Sequence, residues 1–305
     1  MSDPADQDPS GPDVLAVDVG GTKLAAAVVD GAGALHGRHE SPTAGANGEE
    51  LFEQLCATID RALGESPVAA QVVGVGCGGP MTRGGDEVSP VNIPQWRGFP
   101  LRARLAERYG LPTHVDNDAK ALALAEGWLG AARGCTDYLA MVVSTGVGGG
   151  IVCGGRLLDG RAGNAGHLGH LIVEPRGHLC GCGARGCLEA EASGTAIRRI
   201  TGRPAAEAGP EVRARTGRLV GRAVASVMNV LDLPLAVVAG SVALGFGDAF
   251  FDAANEELRR CARLDFSVGG RIEPAGCAAQ GPLLGAAAVG RRALGIPVLS
   301  AEVAA

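Results

Sequence analysis

Two glycine-rich turns in this chain have the composition of phosphate-binding loops. Gly20–Lys23 (GGTK) joins two apolar runs, and Ser144–Gly150 (STGVGGG) does the same further along. Glycine exposes backbone N–H groups and has no Cβ to obstruct a phosphate, while Thr22 adds a hydroxyl and Lys23 a charge. Asp18 is placed to hold water on a Mg²⁺ ion. The first turn has neither Walker nor GxGxxG spacing, so an ordinary tight hairpin is the alternative for it.

The segment VDNDAK combines polar side chains with a predicted strand-to-helix junction. Asn117 can both donate to and accept from a sugar hydroxyl. Asp118 follows at the predicted helix N-terminus, where the helix dipole favours the ionised carboxylate. Such a carboxylate can accept a hydroxyl proton during phosphoryl transfer. The alternative is that Asp118 serves only as the helix N-cap.

One histidine and three clustered cysteines have the spacing of a zinc site. His170 is followed by Cys180, Cys182 and Cys187, with glycines between the cysteines. Three thiolates and one imidazole complete a tetrahedral zinc set, and a filled set indicates a structural site. Disulfides and free thiols are the alternatives. His178 is a rival ligand, but it lies only two residues before Cys180.

Hydrophobic patterning places these residues in an α/β protein. Strands are predicted at 14–19, 24–29, 68–75 and 235–241, and helices at 49–63, 118–132, 213–231, 247–264 and 281–294. The segment starting at Leu15 (LAVDVGGTKLAAAVV) resembles the one starting at Leu139 (LAMVVSTGVGGGIV). This similarity suggests an internal duplication with two hairpin turns facing one cleft. Chance similarity is the alternative, because the chain has 49 glycines.

The composition limits the possible functions. The chain has 305 residues, is 46% apolar and 20% charged, and carries a formal net charge of −6. These values predict a globular protein of one large or two domains and disfavour nucleic-acid or anionic-membrane binding. Residues 1–12 are polar and acidic, which predicts a disordered tail and no signal peptide. The longest apolar stretch, Leu231–Gly247, is interrupted and too short to span a bilayer. Six isolated cysteines are typical of a reduced, cytoplasmic protein.

Taken in order, the motifs of this chain resemble those of the ROK family of sugar kinases and repressors, bacterial glucokinases above all. They are DVGGTK, GCGGP, SPVNIPQWRGFPL, VDNDAKALALAEG, STGVGGGIV, AGHLGH, CGCGARGCLEAEASG and GPLLGAAAVG. The resemblance implies an actin-like ATPase (ribonuclease H-like) fold with two α/β domains around a cleft, commonly as a homodimer. Residues 13–118 and about 290–305 would form the small domain, and 119–289 the large domain with a zinc loop at 166–189.

The resemblance also implies roles for individual residues. Asp118 would be the catalytic base, and His170 would contact both zinc and the sugar, so that zinc fixes its orientation. The sugar-binding positions would be Gly79, Asn92, Asn117, Asp118, His167, His170 and Glu189. The ATP-binding positions would be Asp18, Gly20, Gly21, Thr22, Lys23, Thr145, Gly146, Gly148 and Gly240, and the zinc ligands His170, Cys180, Cys182 and Cys187.

Two positions depart from the family pattern. The family usually has Glu-x-Gly-His before the zinc ligand, where this chain has His167-Leu168-Gly169-His170. A neutral histidine offers one acceptor and one donor, so the hydroxyl pattern recognised near C1 and C2 of the sugar is expected to change. Lys120 stands where the family often has Asn.

The expected function is ATP- and Mg²⁺-dependent phosphorylation of the 6-hydroxyl of glucose or a close relative. An amino-sugar such as kanosamine or an N-acylhexosamine is the alternative substrate, and polyphosphate the alternative donor. A sugar-sensing regulator is disfavoured because a winged helix has no room before Val14 and the chain is acidic. A nucleic-acid-binding zinc ribbon is disfavoured because basic and aromatic residues do not interleave around the cysteines.

Overall fold

A computed structural model describes residues 11–300, which form two five-stranded sheets; residues 1–10 of the predicted tail lie outside the described residues. In the first sheet β1 and β2 form the predicted antiparallel hairpin, and β4 and β5 run parallel to β1. The apolar residues of β1 are buried, as expected for a central strand. The order is β3-β2-β1-β4-β5, with β1 (Val14–Val19), β2 (Lys23–Val29), β3 (Leu35–Pro42), β4 (Val72–Cys77) and β5 (Thr113–Asn117).

The second sheet repeats the topology of the first. Its first two strands form an antiparallel hairpin, a short third strand extends the hairpin side, and two parallel strands extend the other side. The internal repetition predicted from the two hairpin segments is therefore present in the fold. The order is β8-β7-β6-β9-β10, with β6 (Tyr138–Val143), β7 (Val147–Cys153), β8 (Arg156–Leu157), β9 (Leu235–Ala239) and β10 (Arg271–Pro274).

Helices cover both faces of each sheet. Helices α1 and α2 cover the outer face of the first sheet, and α6 and α8 that of the second. The Asn47 side chain caps α1 by accepting from the N–H groups of Glu49 and Glu50. The helices are α1 (Gly48–Glu65), α2 (Leu101–Tyr109), α3 (Asp118–Trp128), α4 (Leu188–Ala192), α5 (Gly194–Thr201), α6 (Pro210–Leu231), α7 (Ser241–Phe246), α8 (Asp248–Cys261) and α9 (Gly281–Ala293).

Helices α3 and α9 lie between the two sheets and join them through one hydrophobic core. That core combines Ala16 of β1, Ala123 of α3, Ala140 of β6, Val237 of β9 and Ala287 of α9. Helix α3 packs against β6 and β7 as well as against β4 and β5. The division into domains at residue 118 stays a prediction, because α3 belongs to the packing of both sheets.

Close packing in this layer depends on glycine. A Cβ on Gly285 of α9 would lie 2.6 Å from the carbonyl oxygen of Ala121 in α3, and a Cβ on Gly74 of β4 would collide with the carbonyl of Ala286. Because glycine has no side chain at these contacts, α9 can lie directly on β4 and α3.

Several boundaries differ from the predicted ones. The strand predicted at 68–75 is Val72–Cys77, the helix predicted to reach 132 ends at Trp128, and the helix predicted at 247–264 is Asp248–Cys261. Strands β3 and β10 and helix α2 were absent from the predicted elements. Within residues 11–300, no helix combines the length and apolar character needed to cross a membrane.

Candidate active site

A cleft of about 1150 Å³ lies between the two sheets and contains both glycine-rich turns. The turn after β1 and the turn after β6 line it together, as the sequence predicts. Every predicted ATP- and sugar-binding residue lines this cleft, and so do His170 and Cys180 of the predicted zinc set. Cys182 and Cys187 are not among the lining residues. The fold thus brings together positions separated by more than two hundred residues: Asp18, Gly20, Gly21, Thr22, Lys23, Gly79, Asn92, Asn117, Asp118, Thr145, Gly146, Gly148, His167, His170, Glu189 and Gly240.

The first turn is held rigidly and packs on a predicted sugar-binding residue. A Cβ on Gly21 would lie 2.5 Å from Cβ of Asn92. The contact with Asn92 therefore requires glycine at this position, as would a bound phosphate. The Thr43 hydroxyl donates to the Gly20 carbonyl at 2.7 Å, which fixes the turn to the end of β3. The Lys23 ammonium lies 2.9 Å from the Glu40 carboxylate, so its charge is partly compensated.

Asp18 and Asp118 lie near each other at the floor of the cleft. Gly76 lies beside both, since a Cβ there would lie 3.7 Å from Cα of Asp118 and 3.9 Å from Oδ1 of Asp18. Desolvation, together with the charge of Asp118, raises the pKa of Asp18 to about 7. Desolvation also raises the pKa of Asp118. Two carboxylates of raised pKa in a cleft form a candidate site for a cation and for proton transfer.

Asp18→Asn is expected to flatten the pH dependence of stability. Because folding raises the pKa of Asp18 to about 7, the folded protein retains a proton that the unfolded chain releases, and this stability is lost as the pH rises through that value. Without divalent cations, the urea midpoint of the wild type should fall between about pH 5 and about pH 8. The urea midpoint should fall less in Asp18→Asn, and the fall that remains would come from Asp118, whose pKa is also raised. Asp252→Asn, at an exposed carboxyl, is the control. An unchanged slope in Asp18→Asn would contradict the assignment.

The junction between β5 and α3 directs Asp118 into the cleft. The Asn117 side chain is the helix cap, because its Oδ1 accepts from the Ala119 N–H at 3.1 Å. Asp118 is the first residue of α3, and its Oδ1 also accepts from Ala119 at 2.8 Å. The capping function proposed as the alternative for Asp118 therefore falls mainly to Asn117. The Asp118 carboxylate remains exposed to the cleft.

The predicted sugar-binding residues converge beside Asp118. A Cβ on Gly79 would lie 3.3 Å from Nδ2 of Asn117 and 3.9 Å from Cε1 of His167. The Glu189 carboxylate accepts from the Val147 N–H at 3.1 Å, which connects it to the second turn. Desolvation and the neighbouring His170 lower the pKa of His167. A neutral imidazole in this position offers one donor and one acceptor to a ligand.

The four predicted zinc ligands are clustered with their ligand atoms within 4.8 Å of one another. Nδ1 of His170 lies 3.7 Å from Sγ of Cys180, and the sulfurs of Cys182 and Cys187 are 3.6 Å apart. Tetrahedral zinc bonds of about 2.0–2.3 Å place neighbouring ligand atoms roughly 3.3–3.8 Å apart, so this set fits zinc. All four ligands belong to the 166–189 loop predicted to hold the metal.

The structure does not support a disulfide in this cluster, whereas free thiols stay the alternative to zinc. Its cysteines are not paired, and a 3.6 Å separation between sulfurs is too long for a disulfide. The rival ligand His178 is engaged elsewhere, since its Nδ1 lies 2.9 Å from the buried Glu191 carboxylate.

Lys120 connects the two sheets behind the cleft. Its side chain is 4% exposed, and its ammonium lies 2.7 Å from Asp116 and 2.6 Å from Asp159. Asp116 belongs to β5 and also accepts from the Asn117 N–H at 2.8 Å, while Asp159 follows β8. Lys120 thus supports the Asn117–Asp118 junction from a separate cavity of about 260 Å³ and does not line the main cleft.

The cleft also contains residues that the sequence reasoning missed. Ala278, Ala279 and Pro282 line it on the same side as the start of α9, and Leu244 lines it from α7. The motif GPLLGAAAVG lies at this point, but small apolar residues carry no chemical signal of their own.

Comparison with known proteins gives a consistent family assignment. The model of the ROK family matches residues 14–293. A glucokinase from Thermotoga maritima is 42% identical over 191 residues, a match that covers 61% of this chain and 59% of that protein. An N-acetylmannosamine kinase from Escherichia fergusonii is 39% identical over 253 residues, covering 76% of this chain and 84% of that protein.

A solved structure has the same fold over nearly the whole chain. It is a ROK family glucokinase from Streptomyces griseus in complex with glucose and AMPPNP. The two chains are 30% identical and align with a TM-score of 0.81, covering 92% of this chain and 99% of that one.

Proposed function

The chain belongs to the ROK family and has its actin-like ATPase fold, and we propose that it transfers the γ-phosphoryl group of ATP to the 6-hydroxyl of glucose or a closely related sugar. The observation that carries the proposal is the position of Asp118. It lies at the floor of one cleft with glycine turns from both sheets and with the clustered polar residues Asn117, His167 and Glu189. A bound nucleotide and glucose in the Streptomyces griseus relative are consistent with it.

In the proposed reaction the cleft positions both substrates and Asp118 receives a proton. The sugar 6-hydroxyl oxygen bonds to the γ-phosphorus as the bond to the bridging oxygen of ADP breaks, and the hydroxyl proton passes to Asp118. N–H groups of the turns at Gly20–Lys23 and Thr145–Gly148 stabilise the phosphoryl oxygens. Asp18 would hold Mg²⁺ through water, and this ion would neutralise phosphate charge. Closure of the cleft would exclude water and prevent hydrolysis.

We further propose that His170, Cys180, Cys182 and Cys187 hold one structural zinc ion. Nδ1 of His170 faces Cys180, which leaves Nε2 available to a sugar hydroxyl in the cleft. The ion would fix the tautomer of His170 and the conformation of the loop that ends at Glu189.

The amino-sugar alternative is favoured by one observation, His167 beside Gly79 and Asn117. An imidazole of lowered pKa replaces the carboxylate usual in the family, which removes one strong acceptor of sugar hydroxyls. Kanosamine and N-acylhexosamines are therefore the competing substrates, and the N-acetylmannosamine kinase relative adds to their case. We propose a cytoplasmic homodimer without nucleic-acid or membrane partners; size-exclusion chromatography with light scattering tests its oligomeric state.

A panel of hexoses and amino-sugars tests the proposed function directly. Each sugar is incubated with Mg²⁺ and either ATP or polyphosphate, ADP release is followed by a coupled assay, and the product is located by NMR. The proposal requires phosphorylation at the 6-hydroxyl of at least one hexose or amino-sugar with ATP. Absence of transfer to every sugar, or transfer to another hydroxyl, would contradict it.

His167→Glu is expected to shift substrate preference toward glucose. The substitution restores a carboxylate that accepts from hydroxyls at the reducing end, so the ratio of kcat/KM for glucose to that for kanosamine should rise about tenfold or more. His167→Gln is the matched control, because its amide keeps one donor and one acceptor and should preserve the substrate ranking. An identical ranking in His167→Glu would show that this residue does not set specificity.

A further inference from the structure

A short loop between β10 and α9 forms part of the wall of the cleft. Ala278 and Ala279 of this loop, Pro282 at the start of α9 and Leu244 of α7 line the cleft together with Gly240. These side chains are apolar and uncharged, which suits the planar base and ribose of a nucleoside better than a phosphate chain.

A buried carboxylate holds this loop from beneath. Glu126 of α3 is fully buried, and its Oε2 accepts from the N–H groups of Ala131 and Gly276, each at 2.8 Å. Its Oε1 accepts from the Cys277 N–H at 3.0 Å. Two of these three donors, Gly276 and Cys277, are the loop residues that come just before Ala278.

The loop has little freedom around this anchor. A Cβ on Gly276 would lie 2.6 Å from the backbone nitrogen of Ala131, so the loop lies directly on the turn that follows α3. The Cys277 thiol donates to the Ala125 carbonyl at 3.4 Å. Ala278 has a φ of 46°, a left-handed conformation that costs an alanine energy and persists only where the surroundings enforce it. The hydrogen bonds that Glu126 accepts from the N–H groups of the two preceding residues supply such enforcement.

We propose that Glu126 is a positioning residue for the nucleoside end of the phosphate donor, acting through residues 276–282. The inference rests on the proposed function in taking the donor to be a nucleotide. Glu126 lies eight residues after Asp118 on the same helix, about 12 Å along its axis. One rigid helix therefore fixes the proposed base at its first residue and the nucleoside wall near its last turn.

The test is binding of three ligands to Glu126→Gln by titration calorimetry. The amide cannot accept from all three N–H groups, so the loop should shift and the Kd of ADP should rise about tenfold or more. Inorganic tripolyphosphate, which lacks a nucleoside, and the sugar preferred in the panel should keep Kd values within about threefold of the wild type. Hydrogen exchange should accelerate at 276–280. Glu257→Gln, at an equally buried glutamate paired with Arg222 and Arg260, is the control for lost stability without lost nucleotide binding.

Gly276→Ala keeps Glu126 intact and displaces the loop by steric conflict, so it should reproduce the selective loss of ADP affinity. The proposal is overturned if ADP binds both variants as it binds the wild type, or if all three ligands weaken alike. It is also overturned if the wild type binds no ADP. Because binding is measured without turnover, an inactive wild type that binds ADP would contradict the proposed function and still decide the role of Glu126.

Discussion

Asp118→Asn is expected to lower kcat by about 10²–10⁴-fold, the usual contribution of a general base. The amide has the shape of the carboxylate and can still accept from the Ala119 N–H, so the α3 N-terminus should be preserved. It cannot accept the hydroxyl proton. Desolvation within the cleft raises the pKa of Asp118, which makes the native carboxylate a stronger proton acceptor than an aspartate surrounded by bulk water.

The measurement is single-turnover phosphorylation with ATP and the preferred sugar. ADP and sugar affinities, zinc content and the thermal midpoint should remain close to those of the wild type. Asp252→Asn is the control, because that carboxylate is exposed on α8 and does not line the cleft. Activity of Asp118→Asn within about tenfold of the wild type would refute the role of base.

Cys182→Ser is expected to abolish zinc binding and to weaken sugar binding and stability together. Cys182 is exposed and does not line the cleft, so loss of a direct sugar contact cannot explain such an effect. The metal would act through His170 and Glu189, which belong to the same loop and do line the cleft. We expect the KM of the sugar to rise at least about tenfold, as for other losses of metal-site geometry.

Elemental analysis should find about one zinc ion per wild-type chain, the stoichiometry of a filled four-ligand site, and none in the variant. Cys153→Ser, at a thiol outside the cluster, controls for the loss of a cysteine. A metal-free wild-type preparation with normal stability and normal sugar KM would exclude the proposed role of zinc.

The predictable parts of the fold are those with strong local patterns. The two hairpins and helices α1, α3, α6, α8 and α9 were predicted because long apolar periodicities mark them. Strand β3 was missed because its residues alternate between exposed and half-buried and include His36, Arg38 and Glu40. Helix α2 was missed because it is short, charged and buried only at Leu101 and Leu105. Edge strands and short surface helices carry little hydrophobic signal.

Boundaries depended on contacts that are distant in sequence. Val68 and its neighbours are apolar, yet β4 begins at Val72, which pairs with Val14 of β1. The next residue, Val73, pairs with Thr113 of β5. Pairing with strands some fifty residues away therefore sets the start of β4. No local pattern contains that information.

The residues of the candidate site also fall into two groups, those that their type or spacing indicates and those that only the folded structure reveals. Glycines, carboxylates and the cysteine spacing indicate their chemistry by residue type, and the fold brings them into one cleft. Glu126 gave no such indication, because a glutamate in a helix is usually exposed. Its loop partners Gly276 and Cys277 are 150 and 151 residues away. A residue that acts by holding backbone can be recognised only when that backbone has been placed.

The layer of α3 and α9 between the sheets has a consequence for how the cleft opens. Four alanines of α3 are buried in that layer, and Gly285 of α9 lies against the backbone of α3. Because small side chains interdigitate little, α3 and α9 can slide against each other over short distances while their contacts stay packed. This packing favours opening of the cleft by a shear motion distributed over many contacts, rather than by a hinge motion about one peptide. The alanines concerned are Ala119, Ala121, Ala123 and Ala125.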